Sequence, residues 1–237
     1  MKTTLFKKEF LYFFYSPLGF IFLAVFLLLA NFLFFNNFFL INDASTRGYF
    51  STFSLMLVFL APALSMRSFA EEKSSGTQEI LFTLPLRDWH IIFSKFMANM
   101  AFLLLALFLT LPVPISISFI GQLDWGEVAG GYLGVFLLGG LYLAIGLYVS
   151  RLTSQQMSAF LMTLFVVLLL FLSGQAFVLE KVPSGLASIL DFVSPVSHFN
   201  NMAKGLVDIR DLLYFLSFSF YFLFALVKNL TLRRYKR

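Results

Sequence analysis

Six long apolar stretches, separated by short polar segments, make up most of the chain. A helix rises about 1.5 Å per residue, so about 20 apolar residues cross the hydrocarbon core of a bilayer. The pattern therefore predicts an all-α, polytopic membrane protein that forms one transmembrane domain over residues 1–237. We expect the second and sixth spans, which are short, to extend into their polar flanks. The predicted spans are residues 17–41, 50–66, 89–120, 128–150, 157–179 and 212–227.

Composition supports a membrane location. Charged residues make up 12% of the chain and hydrophobic residues 59%, whereas a soluble domain carries about 25% charged residues to keep its surface hydrated. With the N-terminus placed in the cytoplasm, 13 of the 17 Lys and Arg residues fall in the tails and loops on that side. This bias predicts that both termini are cytoplasmic. The net charge of +5 thus belongs to membrane orientation, and no nucleic-acid partner is expected.

Three polar segments predict short helices outside the spans. Residues 3–15 combine Phe and Leu with Lys7, Lys8 and Glu9, which is typical of an interfacial helix on the inner leaflet; a solvated basic tail is the alternative. In residues 67–88, Ser75 could cap a short amphipathic helix. That helix would either dock a partner or pack on its own domain. Residues 180–211 are too polar to span and too apolar for a free loop, so we expect one or two interfacial or partly re-entrant helices.

Several chemistries are missing from the pattern. No Lys follows a Gly, which excludes a P-loop. The middles of the spans carry no ionisable residue, so coupling to protons or sodium within the chain lacks its usual residues. His90 and His198 fall on opposite predicted sides of the membrane, and the chain has no Cys. We therefore expect no catalytic, cofactor-binding or metal-binding residues here, and the energy for any transport must come from another chain.

A membrane enzyme acting on lipids is a weaker hypothesis. It would need acids, His or Arg clustered at one interface. The candidate acids on the predicted outer side have no His near them in the sequence apart from His198. They are Glu180, Asp191, Asp208 and Asp211.

Small residues on the fourth span predict close helix packing. Gly130 and Gly134, then Gly140 and Ala144, are spaced four residues apart, which lets two helix backbones approach closely. A helix contact that moves during function is the alternative. Pro112 and Pro114 are expected to kink the outer half of the third span.

The polar stretch after the second span resembles the ABC-2 type transporter permease family. It runs from Phe69 to Pro85 and matches the pattern F-x-x-E-[KR]-x-x-G-T-x-E-x-L-x-[TS]-x-P. The opening F-K-K-E-F-L-Y-F-F-Y-S-P-L-G-F is similar to the permease of the gliding-motility ABC transporter, the GldF-like type. The resemblance implies a non-catalytic permease in the bacterial inner membrane that exports a substrate or does work across the membrane.

The same resemblance implies partners and docking residues. Two copies of a separate ABC ATPase would bind ATP and Mg, beside a second copy of this permease or a related one; an auxiliary subunit with an extracytoplasmic domain would accompany a gliding-type complex. A coupling helix between spans 2 and 3, with a second contact at the turn after span 4, would dock the ATPase. These ATPase-docking residues are Glu71, Glu72, Lys73, Gly76, Thr77, Glu79, Leu81 and Pro85, with Arg151 and Ser154 in the second contact.

Two alternatives stay open at this point. The acidic pair could be a solvated cluster that suits the N-terminal end of a helix dipole. The whole chain could be a scaffold that anchors an ATPase-driven machine without moving a substrate. If the docking assignment holds, replacing Glu72 by Lys should abolish ATPase binding and leave membrane insertion intact, because we expect Glu72 on an exposed cytoplasmic helix.

Overall fold

The architecture comes from a computed structural model, which describes residues 2–41, 47–77, 87–119 and 123–235. Over these ranges the chain forms twelve helices and no strand. In chain order they are α1 Lys2–Tyr15, α2 Pro17–Ile41, α3 Arg47–Ser65, α4 Arg67–Ser74, α5 Asp88–Phe108, α6 Pro112–Ser118, α7 Trp125–Leu152, α8 Gln156–Ser173, α9 Ala176–Leu179, α10 Ser184–Val193, α11 Pro195–Ala203 and α12 Ile209–Tyr235.

The predicted all-helical, multi-pass fold is confirmed. Among the described residues, five helical stretches are long and apolar enough to cross a membrane, and a sixth is added if α1 and α2 count as one span bent by 68°. Two stretches extend beyond the apolar runs seen in the sequence. The second continues through α4 to Ser74, and α12 begins at Ile209 and ends at Tyr235. These extensions supply the length that the two short apolar runs lack.

Local chemistry explains several helix ends. The Asp124 carboxylate caps α7 by accepting a hydrogen bond from the Gly126 amide at 2.7 Å. The helix of the third span is interrupted after Phe108 and restarts with Pro112 in its first turn, where a missing N–H is tolerated. The fifth span ends at Ser173, earlier than predicted. A Cβ on the next residue, Gly174, would lie 2.0 Å from the Ser194 hydroxyl, so only glycine allows this close turn.

Helix α7 is the centre of the bundle and contacts α3, α4, α5, α8, α11 and α12. Within its most apolar 18-residue stretch, 78% of the residues are buried, compared with 17% for α8 and 28% for α12. A helix that is apolar on all sides is stable only when protein or lipid surrounds it. Protein encloses α7, whereas α8 and α12 present most of their surface to lipid or to another subunit.

Aromatic rings join α2 and α3 to this centre. Phe26 stacks on Phe53 at 5.3 Å, and Phe50 meets Tyr132 of α7 edge-on at 5.2 Å. Such pairs contribute about 0.5–1.5 kcal/mol beyond the area they bury. The many Phe residues therefore set the packing of α2, α3 and α7 as well as their affinity for lipid.

Candidate docking end of the bundle

One end of the bundle gathers the polar segments that precede and follow the spans. We call it the charged end, and it comprises α1, α4, the first three turns of α5, the last turn of α7 and the turn 153–155. Helix α1 lies across α5, with Phe13 stacked on Phe102 at 4.5 Å. The opposite end is formed by α10, α11 and the start of α12.

A buried lysine ties three helices together at the charged end. Lys95 of α5 is 1% exposed. Its ammonium lies 2.9 Å from a carboxylate oxygen of Glu9 on α1 and 2.7 Å from one of Glu72 on α4. The ammonium also lies 5.2 Å from the centre of the Phe69 ring. Burial of a cation is unfavourable unless counter-charges surround it, so α1 and α4 must supply those charges together.

An arginine makes a second connection between α1 and α4. The Arg67 guanidinium donates to Glu71 at 3.1 Å, to the Ser16 hydroxyl at 2.7 Å and to the Tyr12 hydroxyl. The Tyr12 hydroxyl in turn donates to Glu71 at 2.7 Å. This closed network holds the junction of α1 and α2 against the first turn of α4. Its planar, three-way geometry suits Arg and could not be reproduced by Lys.

A serine links α4 to the end of the central helix. The Ser150 hydroxyl donates to the Met66 carbonyl at 2.9 Å and accepts from the amides of Phe69 and Ala70 at 3.2 and 3.1 Å. The Ser150 side chain is therefore inserted where the chain passes from α3 to α4. A side chain inserted in this way interrupts the backbone hydrogen bonds of a helix. Lys73 adds a bond to the Thr153 carbonyl at 3.3 Å. Helix α4 and the turn after α7 are thus joined directly.

Helix α4 ends in an exposed tip. Its last turn is followed by Gly76, whose φ of +71° is readily adopted only by glycine and stops the helix. Ser75 follows the last residue of α4, and its hydroxyl donates to the Glu71 carbonyl at 2.8 Å. The helix that Ser75 was predicted to begin lies outside the described residues. Ser74, Ser75, Gly76 and Thr77 are all exposed.

Comparison with known proteins adds family information to this geometry. Residues 35–228 match the family described as ABC-2 family transporter protein. The chain belongs to the ABC-2 transporter family. It is also 29% identical, over 138 residues, to a protein named as a probable multidrug ABC transporter permease, in Escherichia coli strain K12 and in Escherichia coli O157:H7. That match covers 58% of this chain and 37% of each relative, so the chain spans well under half the length of those relatives.

Eight of the ten docking residues predicted for this ABC-2 family chain fall into three groups. Lys73, Gly76 and Thr77 lie on or after α4, and Ser154 lies exposed in the neighbouring turn. Glu71 belongs to the Arg67 network, with its side chain 33% exposed. Glu79, Leu81 and Pro85 lie outside the described residues. The structure therefore places the described part of the first predicted contact beside the second, through Ser150 and Lys73.

Two of the predicted docking residues are less accessible than expected. Glu72 does not project from an exposed helix face: its side chain is 18% exposed and pairs with Lys95. Arg151 is 2% exposed in the last turn of α7. Their burial follows from the packing of α1 and α4 against α5 and α7. A variant at either position would disturb that packing as well as any docking surface.

The sequence analysis missed the residues that organise the charged end. In the sequence, Lys95 interrupts the apolar run of the third predicted span near its start, and that interruption was the available signal. A lysine in the second turn of a span needs a counter-charge, but nothing local indicates that Glu9 and Glu72 provide it. Tyr12, Arg67 and Ser150 had no signal of their own. The partners that connect them to other helices lie 51 to 84 residues away in the sequence.

The glycines predicted to mediate packing lie on α7. A Cβ on Gly130 would come 2.4 Å from the Met202 carbonyl of α11, and one on Gly134 would come 3.1 Å from the Phe199 ring. Gly140 faces the flexible end of Met100 at 3.2 Å, and Ala144 is fully buried. The tightest contact on this helix was not anticipated and lies at Gly146, where a Cβ would be 1.9 Å from the Ser65 hydroxyl.

A histidine organises the opposite end. The His198 ring lies between two acceptors, the Asp211 carboxylate at 2.6 Å from Nδ1 and the Phe192 carbonyl at 3.1 Å from Nε2. The Tyr214 ring stacks on the imidazole at 4.1 Å. This arrangement fastens α10 and α11 to α12, and each ring nitrogen is already used in a structural bond.

A large apolar groove runs along the bundle between α5, α7 and α12. Its volume is about 930 Å³, and its walls are mainly aromatic and aliphatic. Phe93 and Leu104 of α5 and Phe220 of α12 are 45%, 55% and 58% exposed. The groove can therefore hold hydrocarbon or another apolar surface.

Proposed function

We propose that this chain is the membrane-embedded permease of an ABC-2 type transporter and that it docks a separate ABC ATPase at the charged end. ATP and Mg would be bound by that partner. Family membership supports a permease role. The supporting feature of the structure is the link between α4, which carries the first part of the family motif, and the turn after α7. An ATPase that pressed on α4 would push on α3, α5 and α7 together, because Lys95 and Ser150 connect them.

The orientation and assembly are part of the same proposal. Both termini would lie in the cytoplasm of a bacterial inner membrane, and two permeases would pair with two ATPase copies. A gliding-motility role, with an auxiliary subunit carrying an extracytoplasmic domain, is supported by the resemblance of the opening residues. The Escherichia coli relatives are named as probable multidrug permeases. Export of an amphipathic cargo would suit the uncharged, Phe-rich spans and the large apolar groove.

The first test is purification of the tagged chain from its native membrane in mild detergent, with mass spectrometry of the proteins that accompany it. We expect an ABC ATPase at about one copy per permease. An additional subunit with an extracytoplasmic domain would support the gliding-type assembly. If no ATPase is recovered, even after crosslinking, the docking proposal is wrong and a scaffold becomes the better account.

The docking surface is tested at the exposed tip of α4 rather than at Glu72. We expect Ser74→Arg combined with Thr77→Arg to reduce ATPase recovery at least about tenfold, because two large cations would enter a packed interface. Ser184→Arg, at an exposed position on α10, is the matched control and should leave recovery unchanged. Equal recovery of the ATPase with the unchanged chain, the double variant and the Ser184→Arg control would show that the tip of α4 is not the docking surface.

A further inference from the structure

A polar cavity of about 180 Å³ lies at the charged end between α1, α4 and α5. Its walls include both carboxylates of the Lys95 cluster, the Arg67 network and Asn99 of α5. Lys8, an exposed residue of α1, also lines it. The cavity is therefore lined by both signs of charge, at the boundary between the bundle and the polar segments.

Two oxygen atoms of residues in this lining have no hydrogen-bond partner among the described residues. They are Oε2 of Glu72 and Oδ1 of Asn99. Asn99 is 2% exposed, and its amide nitrogen already donates to the Lys95 carbonyl at 2.8 Å, which determines the orientation of the amide. A buried acceptor without a donor destabilises a protein because it has lost its hydrogen bond to water, and the loss is greater if the acceptor is charged. These two oxygens therefore favour a ligand that carries N–H donors and positive charge.

An apolar groove adjoins the polar cavity. It has a volume of about 190 Å³, lies between α2 and α3, and shares Phe13, Leu64 and Arg67 with the cavity. Ile21 and Val25 on its wall are 55% and 40% exposed, so the groove opens to the surface of the bundle that faces hydrocarbon. A polar cavity joined to an apolar groove suits a ligand that has a polar head and a hydrocarbon chain.

We propose that cavity and groove together bind one phospholipid whose headgroup carries a primary ammonium. Both oxygens are shielded from solvent in this structure, so a small outward shift of α4 would bring the ammonium within hydrogen-bond distance of Glu72 and Asn99. The phosphate would lie near Lys8, and the first methylenes of one chain would occupy the groove. Bound in this way, the lipid joins α1 to α4 and contacts α2 and α3. The position of α4, which belongs to the predicted docking segment, would therefore depend on the lipid composition of the adjacent leaflet.

The test is native mass spectrometry of the permease alone, reconstituted in nanodiscs and released in the gas phase. Nanodiscs contain equal parts of phosphatidylethanolamine and phosphatidylcholine with matched chains. Choline carries the same charge on a bulkier group without an N–H donor, so this pair tests for a small headgroup that donates hydrogen bonds. We expect at least about a tenfold preference for retained phosphatidylethanolamine, the size of effect that one charge-assisted hydrogen bond supplies. Equal retention of both lipids overturns the proposal.

Two variants separate the head site from the chain site. Glu72→Gln removes the charged acceptor and should abolish the preference for ethanolamine, whereas a disturbance of helix packing alone would lower the retention of both lipids equally and leave the preference in place. Ala63→Phe fills the apolar groove without touching a polar contact and should lower retention of both lipids, whereas Ala24→Phe, at an exposed position on α2 outside the groove, should not. Soluble phosphoethanolamine added in excess should displace the lipid only if the headgroup binds without a chain, which would also overturn the proposal. No ATPase is present, so the result is independent of the docking test.

Discussion

At the scale of single residues, the most consequential feature is a cation with no access to water. Lys95 forms ion pairs with two carboxylates on two other helices, Glu9 on α1 and Glu72 on α4. A buried ion pair contributes little net stability relative to apolar residues of the same shape, but removing one partner leaves an uncompensated charge. The cluster therefore determines where α1 and α4 sit against α5, more than how stable the bundle is.

Replacing Lys95 by Met should lower the free energy of unfolding by about 3–5 kcal/mol, because Glu9 and Glu72 then face each other without a counter-ion. Thermal unfolding of the purified protein in detergent measures this. Adding Glu9→Gln and Glu72→Gln to the same variant should recover most of the loss. Lys204→Met, at an exposed lysine, is the control. A loss below about 1 kcal/mol would mean that water reaches the cluster and screens it.

At the scale of elements, glycines allow α7 to occupy the centre of the bundle. Helices that pack without a side chain between them approach closely, which compensates for the weak hydrophobic drive between helices in lipid. Four glycines of α7 have a neighbouring atom within 2.4 Å of where a Cβ would be. They are Gly130, Gly131, Gly139 and Gly146. They face different neighbours, so α7 is a hub and not one half of a helix pair.

Gly146→Ala should destabilise the protein by about 1–3 kcal/mol, because the added methyl overlaps the Ser65 side chain, which is buried and bonded to its own helix. Gly185→Ala is the matched substitution, since a Cβ there meets nothing within 4 Å. In helix α10 it should be neutral or stabilising by up to about 1 kcal/mol. Both effects are measured by thermal unfolding in detergent. Equal effects at the two sites would contradict the tight packing at Gly146.

At the scale of the whole molecule, the charged end and the α10–α11 end lie at opposite ends of the bundle. The distribution of the basic residues predicts that the charged end lies in the cytoplasm. The chain contains no Cys, so a single introduced thiol reports its own location without background. Ser154 and Ser184 are exposed, one at each end.

A membrane-impermeant maleimide applied to intact spheroplasts should label Ser184→Cys. It should label Ser154→Cys only after the membrane is permeabilised, because the positive-inside bias predicts that this turn lies in the cytoplasm. Gel mobility or mass spectrometry reads the modification. The reverse labelling pattern would show that the topology is opposite to the predicted one. The proposed docking surface would then lie on the side of the membrane where ATP is not available. A protein with Cys at both positions labels fully after permeabilisation and serves as the control.

The sequence alone determined the fold class, the approximate position of the spans and the family, because each depends on information carried within one segment. The length of an apolar run sets whether a helix can cross a bilayer, whichever helices surround it. The motif from Phe69 to Pro85 is likewise contiguous. Helix ends were less accurate, as at Ser173, where a close contact with Ser194 decides the end.

Which polar residues meet depends on how the helices pack. Lys95 pairs with acids 86 and 23 positions away, and their meeting depends on the angle at which α1 crosses α5, which no local pattern encodes. The same packing buried Glu72 and Arg151, which looked accessible, and left the tip of α4 exposed. Burial and pairing are properties of the assembled bundle, because they depend on what each helix face contacts.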